Sequence, residues 1–326
     1  MNRPHHIAAA FAVTVASLAA LTLVLDPFTL SSVSRIMSLG LLACSVAILT
    51  GWLGLPTLGQ VAPYAVGAYA TAQAANAGVT HGAAQVTIAA VAAALLSLPV
   101  GAVVTRARGI TFLMVTLAVA ELTVAAAIGY KALTGGSDGL AGIPPTTTPW
   151  AGALTDDRDV YLYVLAVTVV TLIVCWTVLR SPAGRLLRGC RDHEDRMRAN
   201  GHPVARYLVT AYVGTAVMAG IAGCLLVTSQ RYISPQDVSF EISAMVLLAV
   251  TIGGASSLTG SITAVAVVVL VRDWVTVVLP GRGPLLLGML FIGAVYVLPD
   301  GLAGLPTRVA RHMRRRLAPT TGRGTA

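Results

Sequence analysis

Few of the 326 residues carry charge: Asp, Glu, Lys and Arg make up 11%, against 56% hydrophobic, and mean hydropathy is +0.79. Soluble domains average roughly 25% charged residues. A soluble globule of this size would lack polar surface, so that class is excluded. Lysine is nearly missing: Lys131 stands alone beside 21 arginines. Cysteine is sparse too, and Cys44, Cys175, Cys190 and Cys224 are scattered with no paired spacing, so neither a disulfide framework nor a metal-ligand pattern is read. Catalytic and nucleotide signatures are also missing. There is no G-x-x-x-x-G-K-[ST] phosphate loop and no H-E-x-x-H. The glycine runs "GGSDGLAG" and "GGASSLTG" have no lysine to reach a phosphate.

What the chain does have is long apolar runs. Ten candidate spans, each a match or near match to ~30 Å of hydrocarbon, are read at 7–25, 33–50, 61–79, 83–104, 110–131, 159–179, 207–228, 242–256, 261–279 and 284–299. The eighth and tenth are short and fit tilted, broken or re-entrant segments. The first is longer than a usual signal-peptide core of about 7–15 residues and reads as an uncleaved span. The expected fold is therefore all-α, a polytopic transmembrane helix bundle. It is taken as one transmembrane domain over 1–326, with loops at 133–158 and 180–206 and a basic tail at 300–326.

The net charge of +9 sits in the loops between apolar runs, which fits membrane orientation rather than nucleic-acid binding. With both termini cytoplasmic, 16 of the 22 Lys and Arg fall on the inner side: Arg3, Arg106, Arg108, seven from Arg180 to Arg206 and six from Arg308 to Arg323. An even span count agrees with that orientation. The tail arginines are then expected to meet anionic headgroups.

The inner loop "SPAGRLLRGCRDHEDRMRANGHPVARY" reads as a short amphipathic helix over 184–200. Leu187, Cys190, Glu194 and Met197 share one face, with Leu186 and His193 beside them. Arg188–Asp192, Arg191–Asp195, Asp192–Arg196 and Glu194–Arg198 are spaced as i,i+4 ion pairs. Gly201 sits at the C-terminal cap and Pro203 stops continuation. Two readings stand: a solvated linker that only satisfies the positive-inside bias, or a docking element whose apolar ridge enters a groove on a cytoplasmic partner. Glu121 is the one acid near the middle of a span, fewer than an ion-driven carrier usually carries. The chain therefore shows no energy source of its own, and an ATPase on another chain is expected to act through this helix.

Several stretches, in order, resemble the permease subunits of branched-chain amino-acid ABC importers (the LivM type). They are "GLPTLGQVAPYAVGAYA" (54–70), "RGITFLMVTLAVAE" (108–121), "LTGGSDGLAGIP" (133–144), "SPAGRLLRGCRDHE" (181–194), "AGIAG" (219–223), "ISP" (233–235) and "IGG" followed by Gly260. The resemblance runs from about Gly51 to Leu302. It implies two paired permease subunits, two cytoplasmic ABC ATPases, an extracytoplasmic solute-binding protein and alternating access, with no cofactor. Such permeases carry a Glu-Ala-Ala…Gly coupling pattern. Here Gly201 matches the glycine, while Asp195, Arg196 and Met197 stand at the Glu-Ala-Ala positions. "GLPTLGQ" departs from the family at Pro56, Thr57 and Gln60.

The candidate sites follow. ATPase coupling is assigned to Arg185, Leu187, Cys190, Glu194, Asp195, Met197 and Gly201. The substrate path is assigned to Glu121, Thr116, Tyr64 and Tyr69; the alternative for each is a hydrogen bond between helices. Binding-protein docking is assigned to Thr134, Gly135, Gly136, Ser137, Asp138 and Gly139, where the glycines also suit a tight turn. Gly67, Gly220 and Gly223 are expected to allow close helix approach. The chain is expected to be a transport subunit of the bacterial inner membrane, not an enzyme, with a small polar cargo: a branched-chain or related amino acid. Urea or short amides on the same scaffold, or a self-sufficient carrier, are the rival readings. A weak echo between "GWLGLPTLG" and "GGASSLTG" hints at internal repetition.

Overall fold

The computed structural model describes residues 26–149, 152–255, 257–278 and 288–289. Eleven α-helices occur among them: α1 (Pro27–Trp52), α2 (Val61–Asn76), α3 (Gly82–Val104), α4 (Gly109–Gly129), α5 (Lys131–Thr134), α6 (Asp157–Arg180), α7 (Pro182–Asp192), α8 (Glu194–Ala199), α9 (Val204–Gln230), α10 (Phe240–Gly253) and α11 (Leu258–Val278), with short 3-10 turns at Gly136–Asp138 and Pro235–Val238. Strand pieces are two residues long: β1 (Leu140–Ala141) pairs antiparallel with β4 (Tyr232–Ile233), and β2 (Thr147–Thr148) with β3 (Gly152–Ala153). Six helical stretches are long and apolar enough to cross a membrane: Thr29–Trp52, α3, α4, α6, α9 and Pro235–Gly253. The spans read at 7–25 and 284–299 and the basic tail lie outside the described residues, but for 288–289. Each of the other eight spans falls on a helix.

These helices are apolar nearly all round, so intrinsic amphipathicity does not decide their packing. Polar side chains are absorbed locally. Ser34 donates to the Leu30 carbonyl (2.9 Å), Ser45 to Leu42 (2.6 Å), Thr71 to Gly67 (2.8 Å) and Thr105 to Gly101 (2.6 Å). Back-bonding of this kind satisfies a hydroxyl where hydrocarbon offers no partner.

Small residues decide which helices meet. α1 and α9 are the two long central helices. A Cβ on Gly67 of α2 would collide with the Gly220 backbone of α9, and one on Gly223 would collide with the Tyr64 carbonyl. Helix backbones in contact need such glycines, as the sequence reading expected. Gly67–Gly220 and Gln60–Thr215 place α2 and α9 parallel. α2 turns back from α1, so α1 and α9 run in opposite senses.

The halves correspond. α1, α2 and α3 have 26, 16 and 23 residues; α9, α10 and α11 have 27, 14 and 21. α9 lies along α2 and α3, as α1 lies along α10 and α11. Tyr212 and Gly220 of α9 face Gly101 and Ala93 of α3, and Gly40 and Cys44 of α1 face Ile262 and Leu258 of α11. This is the geometry of an inverted repeat. It corrects the sequence echo: 53–60, between α1 and α2, corresponds to 231–239, between α9 and α10, and not to 253–260.

One end of the bundle carries α7 and α8. At the other end, the segment 131–156 is tied down by Thr146, which donates to Gln85 Oε1 of α3 (2.8 Å) and lies 3.5 Å from Thr228 of α9. Arg231, in a left-handed cap at φ +51°, reaches the Leu154 carbonyl (2.6 Å).

Candidate translocation site and coupling surface

The stretch Leu53–Gln60 is not helical, yet all but Gly54 and Pro56 are buried. It starts at the α7–α8 end and runs inward between helices. The Leu58 N–H approaches Thr116 Oγ1 of α4 at 3.4 Å, and a Cβ on Gly59 would lie 2.8 Å from Thr116 Cβ. Thr116 is two turns inside α4, so this irregular backbone reaches about 10 Å into the bundle at 1.5 Å rise per residue. Irregular backbone at that depth occurs where protein or a polar cavity covers it. Gln60, completely buried, donates to Thr215 of α9 (3.4 Å); its carbonyl oxygen has no partner among the described residues. Ser97 of α3 likewise keeps a buried, unpartnered hydroxyl.

The four residues assigned to a path separate. Tyr64 and Thr116 are completely buried and Tyr69 is 9% exposed, whereas Glu121 is exposed. Residues 116 and 121 lie five apart on α4, about 140° around a helix of 3.6 residues per turn. Thr116 therefore bridges α4 to 53–60, and Glu121 faces outward with no ion pair among the described residues. Its flank of α4 presents Thr111, Met114, Ala118 and Ala125, while α3 exposes Val91, Leu95, Leu98 and Val103. A cleft of about 960 Å³ lies between α6 and α9, walled by Val167, Val170, Val174, Val178 and Met218. Walls so apolar do not suit a charged solute.

The segment 180–206 departs from the single helix expected over 184–200. Ser181 caps α7 by accepting from the Ala183 N–H (3.2 Å), and His193, at φ −148° and ψ 73°, breaks the chain between α7 and α8. Gly201 takes φ +81°, as a C-terminal cap requires. The ridge does not point outward. Cys190 is 4% exposed, and Leu187 and Met197 pack on the protein's own core. What faces away is charge, with Arg185, Asp192, Asp195, Arg196 and Arg198 exposed. The apolar-ridge docking mode is corrected accordingly: a partner on this side meets a polar surface.

Of the four expected i,i+4 pairs, only Glu194–Arg198 forms (2.7 Å). The break at His193 takes Asp195 and Arg196 out of register with α7. Arg188 lies over the Trp52 ring, and Arg191 donates to the Gly51 carbonyl. Glu194 receives a two-pronged bond from Arg108, Nε to Oε2 at 2.9 Å and Nη2 to Oε1 at 2.8 Å. Hydrogen bonding from Arg108, aided by its charge and by Arg198, holds the Glu194 carboxyl below its ordinary value. Burial and the nearby Glu194 carboxylate push the Cys190 thiol up, so it is a packing residue rather than a nucleophile. Arg108 and Arg191 were missed as site residues. Both carried inner-side charge in the sequence; Arg191 was spaced for a pair with Asp195, which does not form, and Arg108 leads an apolar span. α7 and α8 are thus fastened to the α1 end at Gly51–Trp52 and to the α3–α4 turn.

At the opposite end, Thr134–Gly139 forms a built turn. Gly135, Gly136 and Gly139 have φ of +75°, +69° and +73°. Thr134 Oγ1 donates to the Tyr130 carbonyl (2.8 Å), and Tyr232 donates to the Asp138 carbonyl (3.1 Å). Gly139 passes against the Ile233 backbone, leaving the Ser137 and Asp138 side chains exposed.

A multi-span helical bundle, a broken segment at membrane depth and a polar element braced across two inter-helix turns together define a transport-type membrane protein. Residues 28–298 match the family model for the permease component of branched-chain amino acid transport systems, and the chain belongs to that family. It is 31% identical over 273 residues to the high-affinity branched-chain amino acid transport permease LivM of Escherichia coli K12, and 30% identical over 273 residues to LivM of Salmonella typhimurium LT2. Each alignment covers 76% of this chain and 62% of the relative, so the chain spans less than two thirds of the curated proteins it matches. No solved structure matches it.

Proposed function

We propose that the chain is a permease subunit of an ATP-driven importer for branched-chain or related amino acids, working by alternating access in a bacterial inner membrane. The observation that carries this reading is the fastening of α7 and α8. A polar segment that grips Gly51 through Arg191 and the α3–α4 turn through Arg108–Glu194 can pull on the 53–60 stretch and on α4 together. The names of the relatives support the cargo class. The ATPase subunits meet the charged outer face of α7–α8, the seven coupling residues acting partly as a brace (Leu187, Cys190, Glu194, Met197) and partly as contact surface (Arg185, Asp195, Gly201).

In this reading the chain has ten spans with both ends cytoplasmic, and a solute-binding protein meets the 134–139 turn. A second permease subunit faces α4. Glu121 is the charge on that seam, suited to a substrate ammonium, and Thr116, Tyr64 and Tyr69 shape the wall behind it. Two states with different substrate contacts are required for transport. The test is co-purification in mild detergent followed by uptake in proteoliposomes. A nucleotide-hydrolysing subunit should come down with the chain, and leucine uptake should require it.

A further inference from the structure

A second hollow lies beside the brace. It measures about 360 Å³, lies at the α7–α8 end, and is walled by Trp52, Trp176, Leu179, Arg180, Arg185 and Arg188. The Arg180 guanidinium sits over the Trp176 ring, 4.4 Å from its centroid, and Arg188 over Trp52 at 5.4 Å. None of the three arginines has a carboxylate within ion-pairing distance among the described residues. Trp52 is 6% exposed, and its indole N–H is buried with no hydrogen-bond partner among the described residues. Three arginines without a carboxylate partner around one hollow call for an anion rich in acceptor oxygens.

Position narrows the class. Arg180 ends α6, and Trp176, one turn earlier, is 42% exposed beside the exposed Ile173. A tryptophan at the end of an apolar helix, with an arginine beyond it, marks the boundary between hydrocarbon and headgroups. A phosphate at that level belongs to a membrane lipid.

We propose that this pocket binds the phosphate of an anionic phospholipid, its acyl chains lying along the exposed flank of α6 at Ile173 and Trp176. Because Arg185 and Arg188 belong to α7, the lipid ties the coupling segment to α1 and α6. The site depends only on the chain lying in a membrane, not on the cargo or the energy source.

The test exchanges the purified protein into phosphatidylcholine micelles and titrates phosphatidylglycerol, counting retained lipid by native mass spectrometry and following thermal stability. Inorganic phosphate is titrated in parallel. The wild type should hold phosphatidylglycerol about tenfold or more tighter than phosphatidylcholine, a preference that the Arg180→Gln/Arg188→Gln double variant should abolish. Trp52→Phe keeps an aromatic ring under Arg188 but removes the N–H together with the five-membered ring of the indole; it should weaken retention without altering elution on gel filtration. Equal retention of both lipids, or retention unchanged in Trp52→Phe and the double variant alike, overturns the site. Protection by inorganic phosphate equal to that by phosphatidylglycerol overturns the lipid assignment. So does unchanged lipid retention in variants that no longer bind the ATPase subunits, which would give the pocket to a protein partner.

Discussion

A carboxylate halfway along an apolar helix costs about 2.5–3.5 kcal/mol to hold in hydrocarbon, and Glu121 lies on the outward flank of α4 with no ion-pair partner among the described residues. The cost is removed if that flank faces a wet seam instead of lipid. Glu121→Gln should therefore cut leucine uptake by about tenfold, as loss of a single charge-assisted bond would, while subunit assembly persists. Unchanged uptake in proteoliposomes would remove Glu121 from the path. Glu194 is the second carboxylate that matters. Its folded pKa lies below the ordinary 4.5, chiefly through the Arg108 hydrogen bonds. A depressed carboxylate contributes stability that is complete above the unfolded value and is lost as pH falls through the folded one. Wild type should unfold at higher temperature than Glu194→Gln at neutral pH, and the gap should close below pH 4.5. A gap independent of pH would show that the ion pair is not its cause.

Among the elements, the contact of α2 with α9 and the brace on α7–α8 are the informative ones. Gly67 touches the Gly220 backbone, whereas Gly214, on the same helix as Gly220, has open space around it. Gly67→Ala should destabilise by about 1–3 kcal/mol through overpacking, and Gly214→Ala should stabilise by up to about 1 kcal/mol through helix propensity. Thermal unfolding in detergent checks both, and a matching sign at the two sites would contradict the packing. For the brace, Arg108→Glu and Glu194→Arg singly should lower uptake per ATP hydrolysed, and the double exchange should recover much of it. Two losses that simply add in the double variant would deny the pair a joint role.

Spans and the glycine contacts were legible in the chain because apolar length and small residues report directly on membrane crossing and close approach. The break at His193 was not. The i,i+4 spacing of Asp192, Asp195 and Arg196 favoured one continuous helix, and only tertiary partners (Gly51, Trp52 and Arg108) draw Arg188, Arg191 and Glu194 out of that pattern. The orientation of the Leu187–Cys190–Met197 ridge was undecidable for a similar reason: an apolar stripe does not say whether it covers its own bundle or a partner's groove. Glu121 and Thr116 could be recognised as polar groups in a span, but which side of α4 is covered depends on the 53–60 stretch folding inward against Thr116.

At the scale of the whole molecule, two inverted halves meet at α1 and α9, and α7–α8 bridges ends that belong to the first half. Rocking one half against the other would act on the Gln60–Thr215 contact between them. The decisive measurement is leucine accumulation in proteoliposomes holding the purified permease complex, with ATP hydrolysis followed in the same vesicles. Accumulation should appear only with the ATPase subunits present and hydrolysing, and should vanish in vesicles holding the permease subunits alone. Accumulation by the permease subunits alone, without nucleotide, would contradict the account.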